Sequence, residues 1–158
     1  MIVTSAAKIE LKDQAKKSTS MLAFELPLSK AEDEAKRKAD DRDRVFAIFK
    51  TTNAPVGIID LELTRFKSSC ASKPPPVLIK LTRVSVNDTI KIILKNAIKL
   101  KGSAWSNVFL APDLTLLERE YGRRFRKERD VMNIHRSESD KATFRYGIRG
   151  NQVVKVKL

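Results

Sequence analysis

The chain is short of the residues that build catalytic and metal centres. Its 158 residues include one cysteine, Cys70, and one histidine, His135. A lone cysteine closes no internal disulfide, and one Cys with one His falls short of the sets that hold zinc. The expected compartment is a reducing one, cytoplasm or nucleus. No Gly-rich phosphate loop, paired-histidine motif or Ser/His/Asp order appears. The acids gather in the first third, mostly in a stretch that reads as a solvated helix. No enzyme activity, cofactor or metal site is therefore expected. Apolar runs are short as well. None reaches the roughly 18 residues of a membrane span. The opening MIVTSAAKIELKDQAKK lacks the apolar stretch of a secretory signal. No membrane partner is expected.

What the chain has in excess is positive charge. Lys and Arg number 32 against 19 Asp and Glu, a net +13. Residues 1–64 hold 11 of each sign and sum to zero. Residues 65–112 hold nine basic residues against Asp88 alone, and residues 113–158 hold 12 against seven acids. The whole excess falls in the later two-thirds. A field so one-sided favours a polyanionic partner, nucleic acid ahead of an acidic membrane surface.

Periodicity orders the rest. Residues 1–17 are polar and lysine-rich without heptads, and read as a disordered or frayed tail. SMLAFELPL (20–28) reads as a buried strand. Ser29 and Glu32 have capping-box spacing and open a helix, charged at first, with Val45, Ile48 and Phe49 as its inward stripe. Asn53, Pro55 and Gly57 end it. Residues 58–66 alternate Ile59, Leu61 and Leu63 against Asp60, Glu62 and Thr64, a half-exposed strand. KSSCASKPPP is a loop leading into the strand VLIKLTRV. Ser85 and Asp88 cap a second helix with Ile90, Ile93, Leu94, Ala97 and Ile98 on one face, ended by Gly102. SNVFLAP (106–112) is a fourth strand. Thr115 and Glu118 cap a third helix with Leu117, Tyr121, Phe125 and Val131 or Met132 turned inward. KATFRYGIRGNQVVKVKL reads as a hairpin around Arg149-Gly150-Asn151. Residues 18–112 thus follow a βαββαβ plan, an α+β RRM-like sandwich with two helices on one face of an antiparallel sheet. Residues 113–158 read as a separate module of basic helix and hairpin. RRM folds hold unpaired bases on the sheet face that their helices leave open.

Three stretches in this order resemble a known family. The run LKGSAWSNVFLAPDLTLLEREYGRRF, with KPPPVLIKLTRV and SMLAFELPLS before it, is similar to the nucleic-acid-binding half of the first-open-reading-frame protein of LINE-type retrotransposons. PDLTLLEREYGRRFRKE resembles the first helix of that family's C-terminal domain, and KATFRYGIRGNQVVKV its hairpin. The resemblance implies an RRM-like domain and a C-terminal arm whose basic surfaces grip single-stranded RNA or DNA. It also implies a ribonucleoprotein and nucleic-acid-chaperone role. The coiled coil that trimerises family members does not resemble anything in these 158 residues, so trimers are not expected of them, although self-association stays open.

Candidate contacts follow from charge and placement. Arg119, Arg123 and Arg126 recur at helical spacing, flanked by Arg124, Lys127 and Arg129. The alternative is a solvated face paired to Glu118, Glu120 and Glu128. Arginine forks suit phosphates and stack on bases. Lys80 and Arg83 lie on or just after the central strand, and Arg65 and Lys67 at a sheet edge. Lys91, Lys95, Lys99 and Lys101 sit on the helix side and suit steering. Arg145, Tyr146 and Arg149, with Phe144, interleave rings and cations in the hairpin. The first strand offers Phe24 alone and the third, VLIKL, no aromatic, so the ordinary RRM stacking platform is expected to be missing or reduced, and Phe24 itself reads as core. Trp105 reads as packing at a loop base and His135 as a surface residue. The competing class is an RRM-like protein-interaction module that binds no nucleic acid.

Overall fold

Period-two burial builds the sheet. The computed structural model describes residues 5–54, 61–67, 72–82 and 86–158, leaving aside the side chains of Val86 and Asn87. The chain divides into two units, Met1–Asp113 and Leu114–Leu158. The first runs α1 (Ser5–Lys17), β1 (Ser20–Phe24), α2 (Glu34–Thr51), β2 (Leu61–Arg65), β3 (Val77–Leu81), α3 (Val86–Asn96), a 3-10 turn (Ala97–Gly102) and β4 (Phe109–Pro112). Its four strands pair antiparallel in the order β2-β3-β1-β4. The molecule is therefore α+β.

Met21, Ala23, Val77, Ile79 and Leu81 alternate along β1 and β3 and are buried. They meet Val45, Ile48 and Phe49 of α2, Ile90 and Ile93 of α3, and Leu100 of the 3-10 turn in one core. Each of these side chains larger than Ala23 contributes about 1.5–3 kcal/mol relative to exposure. Leu61 is buried, Leu63 half-buried, and Glu62 and Thr64 exposed, as alternation requires. Trp105 packs against the core from the loop before β4. The β1 strand ends where Glu25 takes a left-handed φ of 58°. That turn returns Leu26 to the core.

Three local expectations fail. Residues 5–17 form a helix rather than a disordered tail, although none of its side chains is buried. The α2 helix begins not at Ser29 but after Asp33, whose carboxylate accepts from the Ala35 N–H. Ser29 instead donates its hydroxyl to Asp40. Both residue types cap helices equally well, so spacing alone chose the wrong one. Ile98 is 69% exposed. The α-helix stops at Asn96, and the tighter 3-10 winding that follows rotates Ile98 off the apolar face. Pro55, Gly57, Ile59, Asp60, Cys70, Arg83 and Ser85 lie outside the described residues.

The second unit runs α4 (Leu116–Ile134), α5 (Glu138–Thr143), β5 (Phe144–Arg149) and β6 (Gln152–Lys157). Its N-terminal cap is reciprocal: the Glu118 N–H donates to the Thr115 hydroxyl, and the Thr115 N–H donates to the Glu118 carboxylate at 2.8 Å. The hairpin closes on a two-residue loop in which Gly150 has φ +57°. A positive φ at the first loop position matches the twist of the flanking strands and favours glycine. Asn133 clasps α4 to the outer edge of β5. Its amide donates to the Tyr146 carbonyl at 3.0 Å and accepts from the Tyr146 N–H at 2.9 Å. Arg136 adds a hydrogen bond to the Phe144 carbonyl. The inward face of α4 differs from the expected one. Phe125 and Met132 are half-buried, but Leu117, Tyr121 and Val131 are exposed. Gly122 and Arg129 take the inner positions with Phe125 and Met132 instead.

Candidate nucleic-acid interface

Helical geometry sorts the α4 cations. At about 100° per residue, Arg119, Arg123, Arg126 and Lys127 fall within an arc of about 100° on the side away from Phe125 and Met132. All four are exposed. Arg119 is partly held, its Nε donating to the Leu114 carbonyl at 3.0 Å. Arg126 lies over Gly122, whose missing Cβ leaves room for the guanidinium. Among the described residues, no carboxylate lies within 4.0 Å of these four cations.

Pairing to Glu118, Glu120 and Glu128 is not what the helix does. The Glu118 carboxylate is turned back to its cap. The remaining acid, Asp130, is engaged by neighbouring Arg129 at 2.6 Å. Arg124 stands apart from the stripe. Its position falls about 100° from Arg123, on the flank with Glu120 and Glu128. It is exposed but does not share the arc.

The hairpin separates what sequence adjacency had joined. Phe144, Tyr146 and Ile148 share one face of β5, and Arg145 and Arg149 share the other. The cations that join the rings come from β6, opposite them in register: Lys155 across from Tyr146 and Lys157 across from Phe144. The Lys155 ammonium sits 4.6 Å from the Phe144 ring centre, and that ring meets Tyr146 edge-on at 5.4 Å. Arg145 and Arg149 line a cleft of about 460 Å³ with Arg129, Asp130, Asn133 and Gly147.

In the first unit, Lys80 lies on the outward face of the sheet, loosely paired with Glu62 at 3.4 Å. Both side chains are at least half exposed, so the pair contributes little and leaves the cation available. Lys80 does not stand alone. It lines a cleft of about 880 Å³ with Lys12, Lys16 and Lys17 and with two acids, Asp13 and Asp113, of which Asp113 engages Lys17 at 2.8 Å. The α1 lysines were overlooked because residues 1–17 read as a tail. Arg65 is structural: its guanidinium makes two bonds to Asp41, at 2.7 and 2.8 Å, and others to the Leu26, Pro27 and Pro75 carbonyls. Lys67, Lys91, Lys95, Lys99 and Lys101 are exposed.

Phe24 is also not where expected. It shares the outward parity of Leu22 and Leu78, opposite Met21 and Ala23, and lies beside Phe109 of β4 with ring centres 6.1 Å apart. Phe109 is 64% exposed, and strand alternation within SNVFLAP, where Val108 and Leu110 are buried, was the signal that could have found it. Among the described residues, no cluster of three His, Cys, Asp or Glu could hold a metal, and no helix is long and apolar enough to cross a membrane. The sequence matches no family model and no curated protein.

Proposed function

We propose that the chain binds single-stranded nucleic acid, RNA in the first place, through lysine and arginine contacts to phosphates, and that it performs no chemistry of its own. The observation that carries this reading is the α4 stripe. Arg119, Arg123, Arg126 and Lys127 share one exposed arc, with no carboxylate in ion-pair reach among the described residues. Four cations stand on this arc against one carboxylate, Asp130, which Arg129 engages, and the surplus raises the local potential and attracts a polyanion. Arg145 and Arg149 in the hairpin cleft, and Lys80 with Lys12 and Lys16 in the first unit, add cations of the same sign.

The first unit supports an RRM-like reading, because the strand order β2-β3-β1-β4 comes with α2 and α3 packed on one sheet face, while Lys80 and Phe109 stand exposed on the other. We further infer kinship with the nucleic-acid-binding half of LINE-type first-open-reading-frame proteins, on the ordered stretches quoted above. A ribonucleoprotein or chaperone role in cytoplasm or nucleus goes with that kinship. A protein-interaction reading draws on Leu117, Tyr121 and Val131, exposed on another side of α4. The two readings separate on whether the chain binds single-stranded RNA at all, and one double substitution then tests the α4 stripe. Arg123→Ala with Arg126→Ala lowers affinity for single-stranded RNA about tenfold or more, alike on every sequence, because phosphates carry no base identity. Gel-shift titration on several unrelated oligonucleotides reads this. Unchanged affinity would remove α4 from the interface.

A further inference from the structure

One flank of α4 belongs neither to the packing of its own unit nor to the arginine stripe. Leu117, Tyr121, Arg124, Glu128, Val131 and His135 follow one another at alternating steps of four and three residues, the spacing of a coiled-coil seam. At about 100° per residue they fall within an arc of about 80°, centred about 130° from the stripe. All six are exposed. The charges of this row balance, and among the described residues neither Arg124 nor Glu128 has an opposite charge within 4.0 Å. Glu120 and Lys127, one of each sign, border the row on the side of the stripe. On its other side come the half-buried Phe125 and Met132, and beyond them the Glu118 carboxylate, turned back to its cap. A single exposed apolar side chain is ordinary. The order of this row is not, because it is complementary to itself about Arg126. Arg124 and Glu128 lie two residues to either side, Tyr121 and Val131 five, Leu117 and His135 nine.

We propose that a second copy of this chain packs antiparallel on this flank of α4, forming a symmetric dimer. In an antiparallel pair centred on Arg126, Tyr121 meets the partner's Val131, Arg124 the partner's Glu128, and Leu117 the partner's His135. Each contact occurs twice, as a two-fold axis requires. A parallel pair would instead set Arg124 against Arg124 and Glu128 against Glu128. Charge therefore selects both the occupant and its direction, and a foreign partner would make no use of the symmetric order. Two copies at net +13 repel each other over most of their surface, so they meet best on a flank without excess charge. The axis of such a pair stands normal to the plane of the two helices. Both arginine stripes then come out on the same side and double the cationic face offered to a strand. Lys127 of each copy lies on that side too, about 80° off the centre of the seam and pointing away from it. The dimer itself does not depend on the nucleic-acid reading above.

The test uses the full chain, freed of nucleic acid so that no strand can tether two copies. Sedimentation equilibrium is expected to show a reversible dimer with a dissociation constant on the order of 10–100 μM, as suits a small interface. Arg124→Glu sets Glu against Glu at both charged contacts, and Glu128→Arg sets Arg against Arg. Either variant alone is expected to dimerise about tenfold more weakly or worse. Mixed in equal amounts, the two variants are expected to form a heterodimer as tight as the native pair, since every Glu then meets an Arg. Mixing repairs a contact between copies and cannot repair a change inside one helix, so the rescue separates the two. Both sites are exposed, and circular dichroism is expected to show unchanged helicity and an unfolding midpoint close to the native one. A native chain that stays monomeric up to about 1 mM overturns the proposal. So does a dimer that both reversals leave intact, because it would lie on another surface. Weakening by each reversal with no recovery on mixing overturns it as well.

Discussion

Asp41 shows how a charged residue can be structural in a protein rich in charge. It is 8% exposed and is held by Arg65 on two oxygens and by Arg44 at 3.4 Å. Removing one partner of a pair this far from water leaves the other charge uncompensated. Asp41→Asn is therefore expected to lower stability by about 3 kcal/mol. Chemical denaturation reads this, and a loss under about 0.5 kcal/mol would mean that Arg65 finds water instead. RNA affinity of the folded variant should not change, since neither side chain belongs to the interface. Glu34 and Lys38 mark the other extreme. The Lys38 ammonium, hydrogen-bonded at 2.8 Å, holds the Glu34 carboxyl below its usual range, but both side chains are about three-quarters exposed. The exposed cations of α4 resemble neither case, since among the described residues they have no carboxylate to satisfy.

At the scale of elements, Gly122 separates helix propensity from binding. It sits inside α4, where glycine costs about 1 kcal/mol relative to alanine. A Cβ there would meet only the flexible end of Arg126, at 3.3 Å from Nη1. Gly122→Ala is expected to stabilise the second unit by about 0.5–1 kcal/mol, read as slower amide exchange in α4. Unchanged or faster exchange would show that the guanidinium cannot step aside.

Much at this scale was legible beforehand. The capping box at Thr115, the hairpin loop, and the alternation of β2 and β3 are local signals, set by a few adjacent residues. The face of α4 was not legible, because apolar residues occur on several sides and only the docked hairpin decides between them. Nor was α1, whose side chains stay exposed and therefore leave no apolar stripe. The opposite facing of Tyr146 and Arg145 followed from strand alternation all along. Reading them as one interleaved patch treated a strand as if it were a loop.

Over the whole molecule, regional sums concealed where the cations are free. Residues 1–64 sum to zero. Yet several of their acids lie on α2, where Glu34 and Asp41 are engaged by Lys38 and Arg65, while Lys12 and Lys16 line the cleft with Lys80. A sum over sequence cannot see this, because pairing is decided in space. Each unit accordingly offers its own cations, and the second unit does so with no buried apolar side chain among its described residues. The central claim is that these cations take the phosphates of an unpaired strand. It is tested most directly by the affinity of the full chain for one single-stranded RNA across a salt series. Each phosphate neutralised on a single strand contributes about −0.7 to the slope of log K against log salt. Engagement of the four α4 cations alone predicts a slope of about −3, and the first-unit lysines would make it steeper. A slope near zero would contradict the account.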